Sequence, residues 1–257
     1  MPLEPIIKIV ADQQELSRVA AKHFVRLATE AVLEKGRFTV ALSGGSTPQS
    51  LYQLLANENE PYRAQLSWEN IHFFWGDERH VPPDHPDSNY RMANEAMLRK
   101  APIPLENVHR IRSELTDARK AADEYEQTLC EFFKLVEGQY PQFDLILLGM
   151  GLDGHTASIF PNSDVIKERV RLVVATWIEN FESYRITLTP PVLQSAAAVN
   201  FLVSGADKAK VLREVLKGDY HPERLPAQLL RQTKANVLWL VDRSAAQGIS
   251  TSEEDEG

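Results

Sequence analysis

Residues 144–148 read DLILL, one acid followed by four apolar side chains with nothing polar between them. A strand without alternation is one covered on both faces, which is the habit of parallel sheets enclosed by helices. The rest of the chain supplies such elements in alternation. Ile6–Val10 reads as a short strand, after which Asp12 and Glu15 form a capping-box start. Leu16, Val19, Ala20, Phe24, Leu27, Ala31 and Val32 recur at helical spacing until Gly36 stops the helix. Phe38–Leu42, Ile71–Trp75, Val108–Ile111, Arg171–Thr176, Arg185–Leu188, Val199–Val203 and Val237–Val241 read as further strands. Thr47–Asn57, Asn89–Arg99, Thr116–Glu137, Ala206–Lys217 and Pro222–Leu230 read as helices. The order predicts an α/β protein built on a mainly parallel sheet with helices on both faces.

No internal repeat and no long linker interrupts the chain. Residues 1–249 therefore read as one domain, and the acidic stretch STSEEDEG, residues 250–257, as a disordered tail. The formal net charge of −8, from 36 acidic and 28 basic residues, argues against a nucleic-acid or membrane partner, since both demand a positive field. An anionic ligand must be met by a local cluster. The one cysteine, Cys130, excludes an internal disulfide, and Leu129, Phe132 and Phe133 beside it give it a packing role. MPLEPIIKIV has neither a basic start nor a sustained apolar stretch, and no run approaches the roughly 18 apolar residues of a membrane span. A cytoplasmic protein is expected; composition leaves its oligomeric state open and is compatible with a monomer.

Ligands of open α/β sheets bind beyond the carboxyl ends of the strands. Four segments occupy that position. In ALSGGSTP, residues 41–48, Gly44 and Gly45 let the backbone approach a ligand closely. Ser46, Thr47 and the free N–H groups of a starting helix face an anion at the positive end of the helix dipole. In FFWGDERHVPPDHPDSNY, residues 73–90, Asp77, Glu78 and Arg79 leave a strand that ends at Gly76. His80, Asp84, His85 and Asp87 follow among prolines, in a spacing that matches no compact zinc pattern, so no metal is expected.

The third segment, LLGMGLDGHTASIFP, residues 147–161, contains a literal G-x-G-x-x-G at Gly149, Gly151 and Gly154. Dinucleotide binding also needs a long return helix and an acid roughly 20 positions on, at the end of the next strand. Pro161 and Asn162 interrupt too early, and Arg171–Thr176 ends without an acid, so no cofactor is expected. What remains is a turn that presents Asp153 and His155 beside a strand end. The fourth segment pairs two cations, Arg185 in YRITLTPP and Lys208 in VSGADKAKVL. Such residues are mostly solubilising, but beside the GGSTP loop they would complete a phosphate pocket. Ser43, Ser46 and Ser158 lack the G-x-S-x-G elbow of a serine nucleophile.

SGGSTP, WGDERHVP, GMGLDGHTASIFP and RITLTPP, taken in that order, resemble the family of 6-phosphogluconolactonases and glucosamine-6-phosphate deaminases, over a stretch from the first strand to about Val241. The resemblance implies a Rossmann-like parallel sheet and hydrolysis of 6-phospho-D-glucono-1,5-lactone to 6-phosphogluconate, in the oxidative pentose phosphate pathway. It implies phosphate contacts from Gly44, Gly45, Ser46, Thr47, Arg185 and Lys208, a catalytic role for His155 with Asp77 close by, and closure of the active-site loop by Arg79. The deaminase branch places an isoleucine after D-G-H and a catalytic glutamate five positions after the histidine. Here Phe160 stands at that place and Thr156 follows the histidine, which makes deamination the weaker alternative. A non-catalytic phosphosugar-binding regulator is the other.

A δ-lactone is an activated ester, which water can attack without a covalent intermediate. Neutral His155 is then the base that deprotonates this water and, once protonated, the acid that serves the ring oxygen. Asp77 or Asp153 orients its imidazole. The glycine turn or Arg79 supplies donors to the oxyanion.

Overall fold

A computed structural model describes residues 4–249; Met1–Leu3 and the acidic stretch 250–257, expected to be a disordered tail, lie outside them. The chain runs through β1 (Ile6–Val10), α1 (Gln13–Lys35), β2 (Phe38–Leu42), α2 (Ser46–Ala56), α3 (Pro61–Gln65), β3 (Ile71–Trp75), β4 (Asp77–Arg79) and α4 (Asn89–Ala93). It continues through α5 (Ala118–Phe133), β5 (Leu145–Leu148), β6 (Val173–Ile178), β7 (Ser183–Leu188), α6 (Pro190–Ser195), β8 (Ala198–Val203), α7 (Ala209–Lys217) and β9 (Asn236–Asp242). Six strands form one sheet in the order β1-β9-β8-β5-β2-β3, every neighbouring pair parallel. Every residue of β2, β5 and β8 is buried, so the middle of the sheet is covered on both faces, as the apolar runs required.

Local signals explain the ends of α1. The Asp12 carboxylate accepts the Glu15 N–H at 2.8 Å, the Glu15 carboxylate accepts the Ala11 N–H at 2.6 Å, and Gly36 closes the helix with φ 72°. The helix packs on β2, β9 and α2, burying Leu16, Ala20, Phe24 and Ala31. Strand order reverses after β3. The chain leaves the edge of the sheet and re-enters as β5 on the other side of β2, which opens a crevice above the carboxyl ends of these strands.

A second sheet was not foreseen. Arg171–Thr176 and Arg185–Leu188 were expected to join the parallel sheet; they instead overlap β6 and β7, which pair antiparallel and take β4 as a third strand. The tight Glu179–Glu182 turn, with Glu182 at φ 44°, joins β6 to β7 directly and dictates the antiparallel pairing. Three smaller expectations also change. Val108–Ile111 makes only one bridge, Phe73 to Val108. Pro222–Leu230 is a turn followed by the 3₁₀ stretch Pro226–Arg231, because Pro226 donates no N–H and holds Leu225 out of helical geometry, at φ −131° and ψ 78°. Asn89–Arg99 is helical only to Ala93 and then passes into a π turn, Asn94–Leu98.

The acid that opens DLILL, Asp144, ties β2 to β5. Its carboxylate accepts the Thr39 N–H at 2.9 Å, the Thr39 hydroxyl at 2.8 Å and the Lys35 ammonium at 2.6 Å, while Thr39 Oγ1 accepts the Asp144 N–H at 3.0 Å. Truncation to alanine strands a buried N–H and hydroxyl. Asp144→Ala is expected to lose about 1–3 kcal/mol of stability, read as a lower urea midpoint at unchanged slope.

Candidate active site

Three neighbouring parallel strands deliver the site. β2 ends in SGGST, β5 in GMGLDGH and β8 in SGADK, and the three loops line one cleft of about 530 Å³. Gly44, Gly45, Ser46, Thr47, Asp77, Arg79, His155 and Lys208 all reach its wall. Two expected residues do not: Asp153 lies behind His155, and Arg185 lies across the β4–β7 ladder from Arg79.

The glycine turn is built for an anion. Gly45 occupies the N-cap of α2 at φ 103°, a conformation L side chains rarely adopt, and no side chain caps the helix. The N–H groups that open α2 are therefore free for a ligand. A Cβ on Gly44 would lie 2.0 Å from Asn89 Oδ1, so only glycine fits beneath that side chain. Ser43 is fixed by the Tyr52 hydroxyl, which accepts its N–H at 3.0 Å and donates to its carbonyl at 2.9 Å. Opposite cations come from Arg79, whose guanidinium donates to the Asp87 carbonyl at 2.6 Å, and from Lys208. Lys208 follows Gly205, at φ 109°, and the Asp242 carboxylate holds that turn by accepting the Ser204 hydroxyl at 2.5 Å and the Gly205 N–H at 3.2 Å.

His155 sits on the β5 loop with Nδ1 2.6 Å from Asp153 Oδ1. Burial pushes the Asp153 carboxyl up, but the hydrogen bonds and charge of His155 outweigh it and hold the group below its ordinary range. Gly151 must be glycine here: a Cβ would stand 2.1 Å from His155 Nδ1. Asp77 is otherwise engaged. It accepts the Ser158 hydroxyl at 2.6 Å, and Asn89 Nδ2 donates to its carbonyl at 2.9 Å. Of the two carboxylates that sequence reasoning left open, Asp153 is the one paired with the imidazole.

Residues 11–239 match the family model described as glucosamine-6-phosphate isomerases/6-phosphogluconolactonase. The chain belongs to this family. A 6-phosphogluconolactonase of Synechocystis sp. is 40% identical over 96% of this chain and 99% of its own length. Another from Nostoc sp. is 38% identical, covering 96% of this chain and 100% of its own. Among solved structures, 6-phosphogluconolactonase from Trypanosoma cruzi superposes with a TM-score of 0.83 at 34% identity, over 98% of this chain and 99% of that one. Among the described residues no helix is long and apolar enough to cross a membrane.

Sequence reasoning assigned no role to Glu78, Asn89 or Asp207. Asp207 adds a second acid to the cleft wall, and Asn89 bridges Asp77 to the glycine turn. Glu78 is 1% exposed and lines nothing. Burial pushes its carboxyl up, opposed by backbone N–H donors from Tyr90, Asn89 and Arg79 at 2.8, 2.7 and 2.8 Å. Ser88 adds a hydroxyl at 3.1 Å. An amide in its place would turn an NH₂ group toward donors. Glu78→Gln is expected to lower the melting temperature, by about 1–3 kcal/mol of stability, and to raise KM by loosening Arg79 and Asn89.

Proposed function

We propose that the chain hydrolyses 6-phospho-D-glucono-1,5-lactone to 6-phospho-D-gluconate. The observation that carries this reading is that one cleft joins a carboxylate-paired histidine to an uncapped helix N-terminus and a lysine. The relatives named above bear the same activity in their names.

The uncapped turn Gly44–Thr47 and Lys208 hold the phosphate, with Arg79 beside them and Arg185 acting from the adjoining strand. Binding energy at that end becomes orientation at C1. Asp153 accepts the Nδ1–H of neutral His155, which leaves Nε2 as the basic atom. Nε2 takes a proton from a water whose oxygen attacks C1. The tetrahedral oxyanion is met by N–H donors of the glycine turns or by Arg79. As it collapses, the bond between C1 and the ring oxygen breaks, and the imidazolium returns its proton to that oxygen. No group is consumed, and the charge on Asp153 persists throughout. Deamination is the weaker alternative, because Phe160 offers no acid where that branch places a glutamate.

His155→Ala is expected to keep the fold and phosphosugar affinity while kcat falls about 10²–10⁴-fold, the usual contribution of a general base. The check is an assay with freshly generated lactone, corrected for spontaneous hydrolysis; wild-type turnover equal to the uncatalysed rate removes the reading altogether. A second expectation separates the two ends of the substrate. Lys208→Ala or Arg185→Ala should reduce kcat/KM for the phosphorylated lactone about ten- to hundredfold and spare unphosphorylated gluconolactone, because charge-assisted contacts act on the phosphate alone. Equal losses for both lactones would assign the residue to the fold or to the chemical step.

A further inference from the structure

Phe160 lies outside the cleft wall and has no polar atom to offer, yet its ring is stacked on the imidazole of His155. The centroids are 4.2 Å apart and the planes 29° from parallel. A histidine carries two side-chain rotations, and the single hydrogen bond from Nδ1 to Asp153 leaves the ring able to swing about that contact. A base displaced by an ångström loses much of its effect. Something must fix the ring plane.

The local chain explains how a residue five positions on returns to the histidine. Thr156 and Ile159 form an antiparallel bridge across a tight reversal, closed by the Ile159 N–H donating to the Thr156 carbonyl at 3.0 Å. Ala157, at its corner, is held at φ 48°, in the left-handed region that costs a residue with a Cβ. Three hydrogen bonds retain it there. The Thr156 hydroxyl donates to the Gly149 carbonyl at 2.9 Å, the Ser158 N–H to Thr187 Oγ1 at 3.2 Å, and the Ser158 hydroxyl to Asp77 at 2.6 Å. Ile159 is fully buried behind the reversal. Phe160 is thereby delivered onto the imidazole, and Phe181, from the turn between β6 and β7, backs it with a centroid separation of 6.0 Å.

We propose that Phe160 is a positioning residue for His155: its ring fixes the plane of the imidazole while Asp153 fixes its edge, so that Nε2 stays directed at the reacting water. The proposal rests on the reading of His155 as the general base. Phe160 lies off the cleft wall and acts through the histidine.

Two substitutions test it. Phe160→Leu keeps an apolar side chain and removes the flat face, whereas Phe160→Tyr keeps the face. Each is assayed with 6-phosphogluconolactone, and the histidine Nδ1–H resonance of each folded protein is followed by ¹⁵N-edited NMR, assigned with His155→Ala. Phe160→Leu is expected to lower kcat about tenfold or more with KM changed less than about threefold, and to broaden or lose the resonance. Phe160→Tyr is expected to keep the resonance and to recover most of kcat. A leucine variant with a sharp Nδ1–H signal and wild-type kcat overturns the proposal, as does equal loss in both variants in step with a lowered melting temperature. Should the wild type fail to turn over the lactone, the functional reading fails first, and the resonance alone still decides whether Phe160 holds the ring.

Discussion

The carboxylate of Glu78 is the constraint on which the site depends. A carboxylate at 1% exposure is costly to bury, and it is tolerated only where its oxygens meet donors already in place. Here four donors converge on two oxygens, the N–H groups of Arg79 and Asn89 on Oε1 and the Ser88 hydroxyl and Tyr90 N–H on Oε2. Three of the four come from Ser88–Tyr90, on the far side of a proline-rich loop, so the interaction closes that loop onto β4. It also sets the start of α4, where the Ser88 hydroxyl accepts the Arg91 N–H at 3.1 Å. Asn89 is then carried over Gly44 and against Asp77, and Asp77 receives Ser158 from the histidine loop. One buried charge thus fixes the mutual position of three loops that are distant in sequence.

Electrostatics in the cleft runs against the sign of the whole chain. A net charge of −8 repels a phosphorylated substrate at long range, so affinity has to come from groups within a few ångströms, where screening by solvent is weak. Arg79 and Arg185 face one another across β4 and β7, a like-charge pair that works against the fold. Burial lowers the Arg185 guanidinium, and the Arg79 charge lowers it further. Part of the opposing charge comes from Asp77, Asp87 and Glu78, and part of the guanidinium rests on the Phe181 ring, 5.2 Å away. In the proposed mechanism, an arriving phosphate dianion would relieve what these partners leave uncompensated, and the pair would then serve discrimination more than stability.

Much of this was legible in the sequence because the central strands are buried on both faces and state it in unbroken apolar runs. The glycine turn and D-G-H were legible because each needs residue types that few other structures need. The second sheet was not, since RITLTPP reads as a strand whether its neighbours run parallel or antiparallel. The structural part played by Glu78 was not legible, because three charges in a row signal solvent unless the donors that hold Glu78 are known, and those lie about ten residues away in an irregular loop. Arg185 and Asp153 were recognised as chemically relevant, but distance from the cleft wall is a property of strand pairing and turn geometry that residue types do not encode. Phe160 counted only as an absent glutamate; its contact with His155 depends on a left-handed alanine.

That alanine shows how the chemistry and the fold share one device. A left-handed residue with a Cβ costs about 1–2 kcal/mol, a sizeable fraction of a typical domain's stability. A looser turn between Thr156 and Ile159 would avoid the cost, but it would part Ser158 from Asp77 and Phe160 from His155. The proposed reaction can bear no such slack. Hydrolysis of an activated ester by one general base draws on a factor of about 10²–10⁴, and preorganised oxyanion donors add about 10²–10³. Both factors assume that base, water and donors are already aligned. With neither a covalent intermediate nor a bound group to hold C1 in the proposed mechanism, alignment has to come from the loops themselves, and the strain at Ala157 is what a tight enough loop costs.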